Sequence, residues 1–187
     1  IAQDWTRTAQ VMNEIALLRS MTNKEGEHQR ATYQMHTGYV PTGTLRHPSV
    51  GSALAKELSD KQCDLPPVVR IGSRGRNDSG AGLLGMQWEP FEMRDPAQNP
   101  ANTRPQVPAD RHLRRLDLME SLAANFAADL PREAQTHRDL YRRATRMIMS
   151  ADMRAFDLDA EPDHVRAAYG TGDFAKGCLL EIGRAHV

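Results

Sequence analysis

Aromatic side chains are scarce in this 187-residue chain: four Phe, four Tyr and two Trp, 5% in all. A core built here must rely on aliphatic residues drawn from a 40% apolar complement. Cysteine is nearly missing as well. Cys63 and Cys178 lie far apart with no CxxC spacing, which excludes a cysteine-rich zinc module or a disulfide framework and leaves both thiols as bystanders. Charge of either sign is in balance, with Lys+Arg 24 against Asp+Glu 24. The basic excess that draws a protein to nucleic acid or to an anionic membrane is therefore lacking, and no nucleic-acid partner is expected. No apolar run approaches the roughly 20 residues that cross a bilayer, so no membrane span is expected either.

What the chain does have is a patterned segment, residues 15–39, IALLRSMTNKEGEHQRATYQMHTGY. The apolar run 15–21 predicts a buried strand, residues 22–27 a polar loop, and residues 26–36 a helix ending at Thr37-Gly38. Strand, loop and helix in that order are how open α/β sheets present ligand-handling groups, because unpaired N–H groups at a helix N-terminus attract anions. Upstream, Trp5, Ala9, Met12 and Ile15 recur at helical spacing. Downstream, His47-Pro48-Ser49 opens a helix with an expected apolar stripe of Val50, Leu54 and Leu58. Residues 66–72 (PPVVRIG) predict a second buried strand.

A glycine-rich stretch, residues 73–82, matches neither the P-loop nor the dinucleotide fingerprint and reads as a flexible loop. Residues 83–93 predict an edge strand or a packed loop, and 95–110 an irregular connection. Two helices then follow. The first carries Leu113, Leu116, Met119, Leu122, Phe126 and Leu130 on one face, and the second, residues 131–150, turns Leu140, Ala144, Met147 and Ile148 inward. Residues 155–159 read as a connector, 161–169 as a short helix ended by Gly170, and Asp173 as the cap of a last helix. Met147, Met149 and Met153 read as packing residues, not copper ligands.

Both ends carry their own expectation. The chain starts at Ile1 within an amphipathic pattern, which implies a preceding segment. Residues 181–187, EIGRAHV, are the in-frame translation of gagatcggaagagcacacgtc, a short-read sequencing adapter. They are expected to be foreign, leaving 1–180 as the central fragment of a single domain.

An ordered set of blocks then carries a family resemblance. In the first half these are Arg19-Ser20-Met21-Thr22, Arg30-Ala31-Thr32-Tyr33, Met35-His36-Thr37-Gly38-Tyr39, His47-Pro48-Ser49-Val50-Gly51-Ser52, Asp64-Leu65-Pro66-Pro67-Val68-Val69 and Leu83-Leu84-Gly85-Met86. In the second half Phe156-Asp157-Leu158, Glu161-Pro162, Val165-Arg166, Tyr169-Gly170 and Gly177-Cys178-Leu179-Leu180 agree. On these blocks the chain resembles the bacterial domain of unknown function 1501, which is similar to sulfatases and alkaline phosphatases.

The resemblance implies a partial α/β/α sandwich with a mostly parallel sheet and a helix-rich C-terminal half. It implies metal-assisted hydrolysis of sulfate or phosphate esters, on small-molecule or polysaccharide substrates, with divalent Ca, Mn or Zn as cofactor. It also implies export to the periplasm or beyond, by a signal upstream of Ile1. Its main ligand segments, an early Asp and a late Asp/His cluster, are not among these residues.

Sulfatases place Cys or Ser at the turn before the helix, and phosphatases Ser or Thr. Here Lys24-Glu25-Gly26-Glu27-His28 fills that turn, with Thr22 the nearest hydroxyl. Attack by a metal-bound water stays open. On this reading Thr22 and His28 are the candidate catalytic groups, and His28 is also a candidate metal ligand or general base. Lys24 is a point charge for an anionic substrate. Arg30 is either an oxyanion clamp or half of a surface ion pair, and Glu27 suits a helix cap. A catalytically inactive, carbohydrate-associated binding protein is the alternative that the missing nucleophile motivates.

Overall fold

The computed structural model describes residues 3–60, 62–72, 79–124 and 132–185. It is a mixed α/β, helix-rich arrangement with a small parallel sheet. The sheet pairs β1 (Val69–Ile71) with β2 (Phe91–Met93), in register Val69↔Phe91 and Ile71↔Met93. β-branched Val69 and Ile71 suit the pleat, and the facing pair Arg70 and Glu92 forms a cross-strand ion pair at 3.4 Å.

One core lies on this sheet. Leu65, Met93, Phe156 and Leu180 are buried together, with Val69, Ile71, Phe91, Met153 and Leu158 packed around them. The rings of Phe91 and Phe156 meet at 5.7 Å. The last helix of the chain, Asp173–Ala185, closes over β1, and Gly177 allows the approach: a Cβ there would sit 3.2 Å from Ile71 Cγ2. Residues 155–159, expected to be a connector, instead span the end of one 3-10 turn, Ala151–Phe156, and the start of another, Leu158–Ala160, with Asp157 capping both. These turns deliver Phe156 to the core, a tertiary role that the short segment's pattern does not advertise.

The helices in chain order are α1 (Thr6–Gln10), α2 (His28–Thr37), α3 (Val50–Leu58), α4 (Ala109–Ala124), α5 (Arg132–Met149), α6 (Asp163–Tyr169) and α7 (Asp173–Ala185). Among the described residues, none is long and apolar enough to cross a membrane.

Four expectations need correction. Residues 15–21 form no strand. They are irregular, with Leu17 63% and Leu18 77% exposed, because a strand exists only when a neighbour takes its N–H and C=O groups, and no described segment does so. The α3 stripe of Val50, Leu54 and Leu58 faces solvent. The buried face is Ser52 and Ala55, whose small side chains, with Gly51 against Val68, let the backbone come close. In α4, Leu116 and Met119 are half-buried but Leu113 and Leu122 are exposed. Asp173 stands in the first turn of α7, and Gly172 O accepts the Lys176 N–H.

The expected flexible loop 73–82 is described from Ser79 onward, its residues 73–78 lying outside the described set, as do Phe126, Leu130 and Pro131. From Ser79 the chain is held. Gly80 O accepts the Ser49 N–H, Arg46 O accepts the Leu83 N–H, and Glu89 Oε2 accepts the Ala81 N–H at 2.8 Å. Residues 181–185 continue α7, where Arg184 donates to Pro66 O at 2.7 Å.

Candidate functional site

The polar loop before α2 organises itself through short-range acceptors. Asn23 Oδ1 accepts the Glu25 N–H at 3.0 Å, a side-chain turn of the kind Asn favours. Glu25 Oε1 accepts the Glu27 N–H at 3.3 Å, and Glu25 Oε2 pairs with Arg30 Nε at 2.7 Å. Glu27 is the N-cap of α2: its two oxygens take the N–H groups of Gln29 at 3.1 Å and Arg30 at 2.7 Å.

These bonds favour the charged carboxylates. The Arg30 side chain, then the Glu27 N–H, holds the Glu25 carboxyl below its ordinary value. The N–H groups of Gln29 and then Arg30 do the same for Glu27. Both acids of the turn are thus engaged with the protein itself, and Glu27 fills the anion position at the helix N-terminus.

The other end of α2 is equally fixed. Gly38, at φ 78°, closes the helix in the left-handed region, and its N–H reaches Gln34 O at 2.7 Å. Tyr33 Oη accepts the His47 N–H at 2.7 Å, and the Tyr39 ring stacks on His47 at 3.9 Å and 7°. Since Ser49 then caps α3 by accepting the Ser52 N–H, one chain of contacts joins α2 to α3.

Between the loop and the flank of α2 lies a cleft of about 410 Å³, lined by Thr22, Asn23, Lys24, Glu25, Gln34 and Val40. It brings together Thr22 and Lys24, two of the four site residues named from sequence. Arg30 turns to Glu25 instead, and His28, the exposed first residue of α2, is not part of the lining. Asn23, Gln34 and Val40 complete the cleft. Asn23 two residues before Glu25 is a turn signal that sequence reading can use. Gln34, mid-helix, and Val40, past its end, carry no such signal.

The metal that the resemblance implies finds no centre here. Among the described residues no group of three or more His, Cys, Asp or Glu side chains converges. Of the acids nearest His28, Glu25 and Glu27 are committed to Arg30 and to backbone N–H groups. The described loop does not fit a divalent ion.

A second, more apolar cleft of about 320 Å³ runs between α5 and β2, where Leu140 and Met147 face Pro67 and Phe91. Arg143 closes its edge, donating to Gln87 O at 3.0 Å beside the Trp88 ring.

Strand, core and loop belong to a family whose sequence pattern covers almost the whole chain. The chain is a member of the family described as protein of unknown function (DUF1501), which it matches over residues 1–186. No curated protein and no solved structure matches the chain.

Proposed function

We propose that the chain is the central part of an exported, sulfatase-like hydrolase acting on sulfate or phosphate esters. In this reading the Thr22–Lys24 cleft receives the anionic group of the substrate. The observation that carries it is the meeting of a hydroxyl and an ammonium in one cleft beside the helix that follows the polar loop. Lys24 supplies the charge and Thr22 a hydrogen bond or a hydroxyl. The ordered resemblance supports the ester chemistry, the α/β/α sandwich of the alkaline phosphatase type, and a periplasmic or extracellular setting. The resemblance supports Ca, Mn or Zn as the divalent cofactor.

A second reading has its own observation. Glu27 occupies the anion position of α2, which favours a catalytically inactive, carbohydrate-associated binding protein. The full-length protein, purified with Ca, Mn or Zn and assayed on aryl sulfates and phosphate monoesters, separates the two. Turnover that falls at least tenfold in Lys24→Ala supports the hydrolase, whereas binding of carbohydrate with no turnover of any ester supports the second reading.

A further inference from the structure

The apolar cleft between α5 and β2 takes no part in the ester reading. Its volume of about 320 Å³ falls within the range of small-ligand sites, and nine of its fourteen lining residues are apolar. Leu140 and Met147, seven residues apart, share one face of α5, and the small side chain of Ala144 between them leaves the space open. Phe91 of β2 and Pro67, just ahead of β1, form the opposite wall.

The charged groups of this lining are already engaged by the protein. Asp64 pairs with Arg146 at 3.4 Å and Glu92 with Arg70 at 3.4 Å. Glu89 accepts the Ala81 N–H at 2.8 Å, and Arg143 donates to Gln87 O at 3.0 Å beside the Trp88 ring. Three carboxylates and three guanidiniums, those of Arg70 and Arg146 included, leave the walls with no net charge. A charged ligand would give up water here and have to displace one of these pairs, whereas an uncharged apolar body gains by covering the wall. The residue types favour a ring: Met86 and Met147 offer polarisable thioethers and Phe91 a ring of its own, and each makes favourable contacts with an aromatic group.

We infer that this cleft binds an uncharged aromatic molecule of one or two rings, lying between Phe91 and the Leu140–Met147 face of α5.

Methionine-methyl NMR of the full-length protein tests this with naphthalen-2-ylmethanol, and with 2-naphthoate and naphthalen-2-ylmethylamine as its anionic and cationic counterparts. Met86→Leu and Met147→Leu assign the two methyl signals. The alcohol is expected to shift both signals saturably through its ring current, and each charged compound to bind at least about tenfold more weakly. Ala144→Phe fills the cleft from an exposed helix position and should abolish the shifts, with circular dichroism checking the fold. The comparison of neutral and charged compounds on the wild type decides the matter even if that variant fails to fold. No shift at Met86 and Met147 in the wild type, a charged compound binding as tightly as the alcohol, or shifts that persist in folded Ala144→Phe would overturn the inference.

Discussion

Gly82 is where a single methyl group tests how tightly the glycine-rich loop is held. Its φ is +51°, and a Cβ built there would lie 2.8 Å from the His47 carbonyl carbon and 2.9 Å from that of Arg46, with Arg46 O closer still. All three atoms are backbone. They cannot swing aside as a side chain would, and Arg46 O also accepts the Leu83 N–H at 3.0 Å. An L-residue in the left-handed region costs about 1–2 kcal/mol, and forcing a methyl into packed backbone about 1–3 kcal/mol more. Gly82→Ala should therefore destabilise the protein by about 2–5 kcal/mol.

Gly80→Ala is the control. The three atoms nearest its Cβ all belong to the carboxylate of Glu89, the far end of a flexible side chain. The expected loss is smaller than that of Gly82→Ala, because the Glu89 side chain that accepts the Ala81 N–H can swing aside where backbone cannot. Urea unfolding followed by circular dichroism gives both numbers from the shift in midpoint at constant slope. If Gly82→Ala unfolds at the wild-type midpoint, or no lower than Gly80→Ala, the close approach of residues 80–83 to residues 46–49 is refuted.

Phe156→Ala removes the ring at the centre of the core and should cost about 3–5 kcal/mol by the same unfolding assay; a loss under about 1 kcal/mol would mean that Phe156 does not anchor it. In Arg30→Gln the Glu25 carboxyl loses its main partner, and an NMR titration should find its pKa higher than in the wild type. The sign for stability follows: with Arg30 present, Glu25 stabilises the fold above the unfolded carboxyl's ordinary value, and that contribution fades as pH falls through the lowered folded value. Arg30→Gln should flatten this acid-side loss; an unchanged pH profile would mean that the Glu25–Arg30 pair does not form in solution.

Local signals in the sequence located most elements, because their causes are local. Glu27 ahead of α2, Gly38 behind it and Ser49 ahead of α3 are capping chemistry that a few neighbouring residues decide. Residues 66–72 contain β1, trimmed to the three residues that β2 pairs with, and residues 83–93 resolve into two short 3-10 turns and β2. What failed was whatever depends on distant partners. The run Ile15-Ala16-Leu17-Leu18 has strand composition but no strand beside it among the described residues, so its backbone stays irregular. Val50, Leu54 and Leu58 share a helical stripe, yet α3 packs through Ser52 and Ala55, since small residues permit contact that bulky ones would hold apart.

The site divides along the same line. Thr22 and Lys24 are close in sequence and meet in one cleft, whereas Gln34 joins them only because α2 folds back along the loop. Arg30 was legible both as a clamp and as an ion pair. Its geometry is the pair with Glu25, a helix residue turned back onto the loop before it.

The most direct test of the account is ester hydrolysis by the full-length protein, measured on a sulfate ester and a phosphate ester with Ca, Mn or Zn supplied. The hydrolase reading predicts turnover of at least one ester that chelation abolishes, with KM raised about tenfold in Lys24→Met, the charge lost from the cleft. No turnover of either ester with any of the three metals would contradict it.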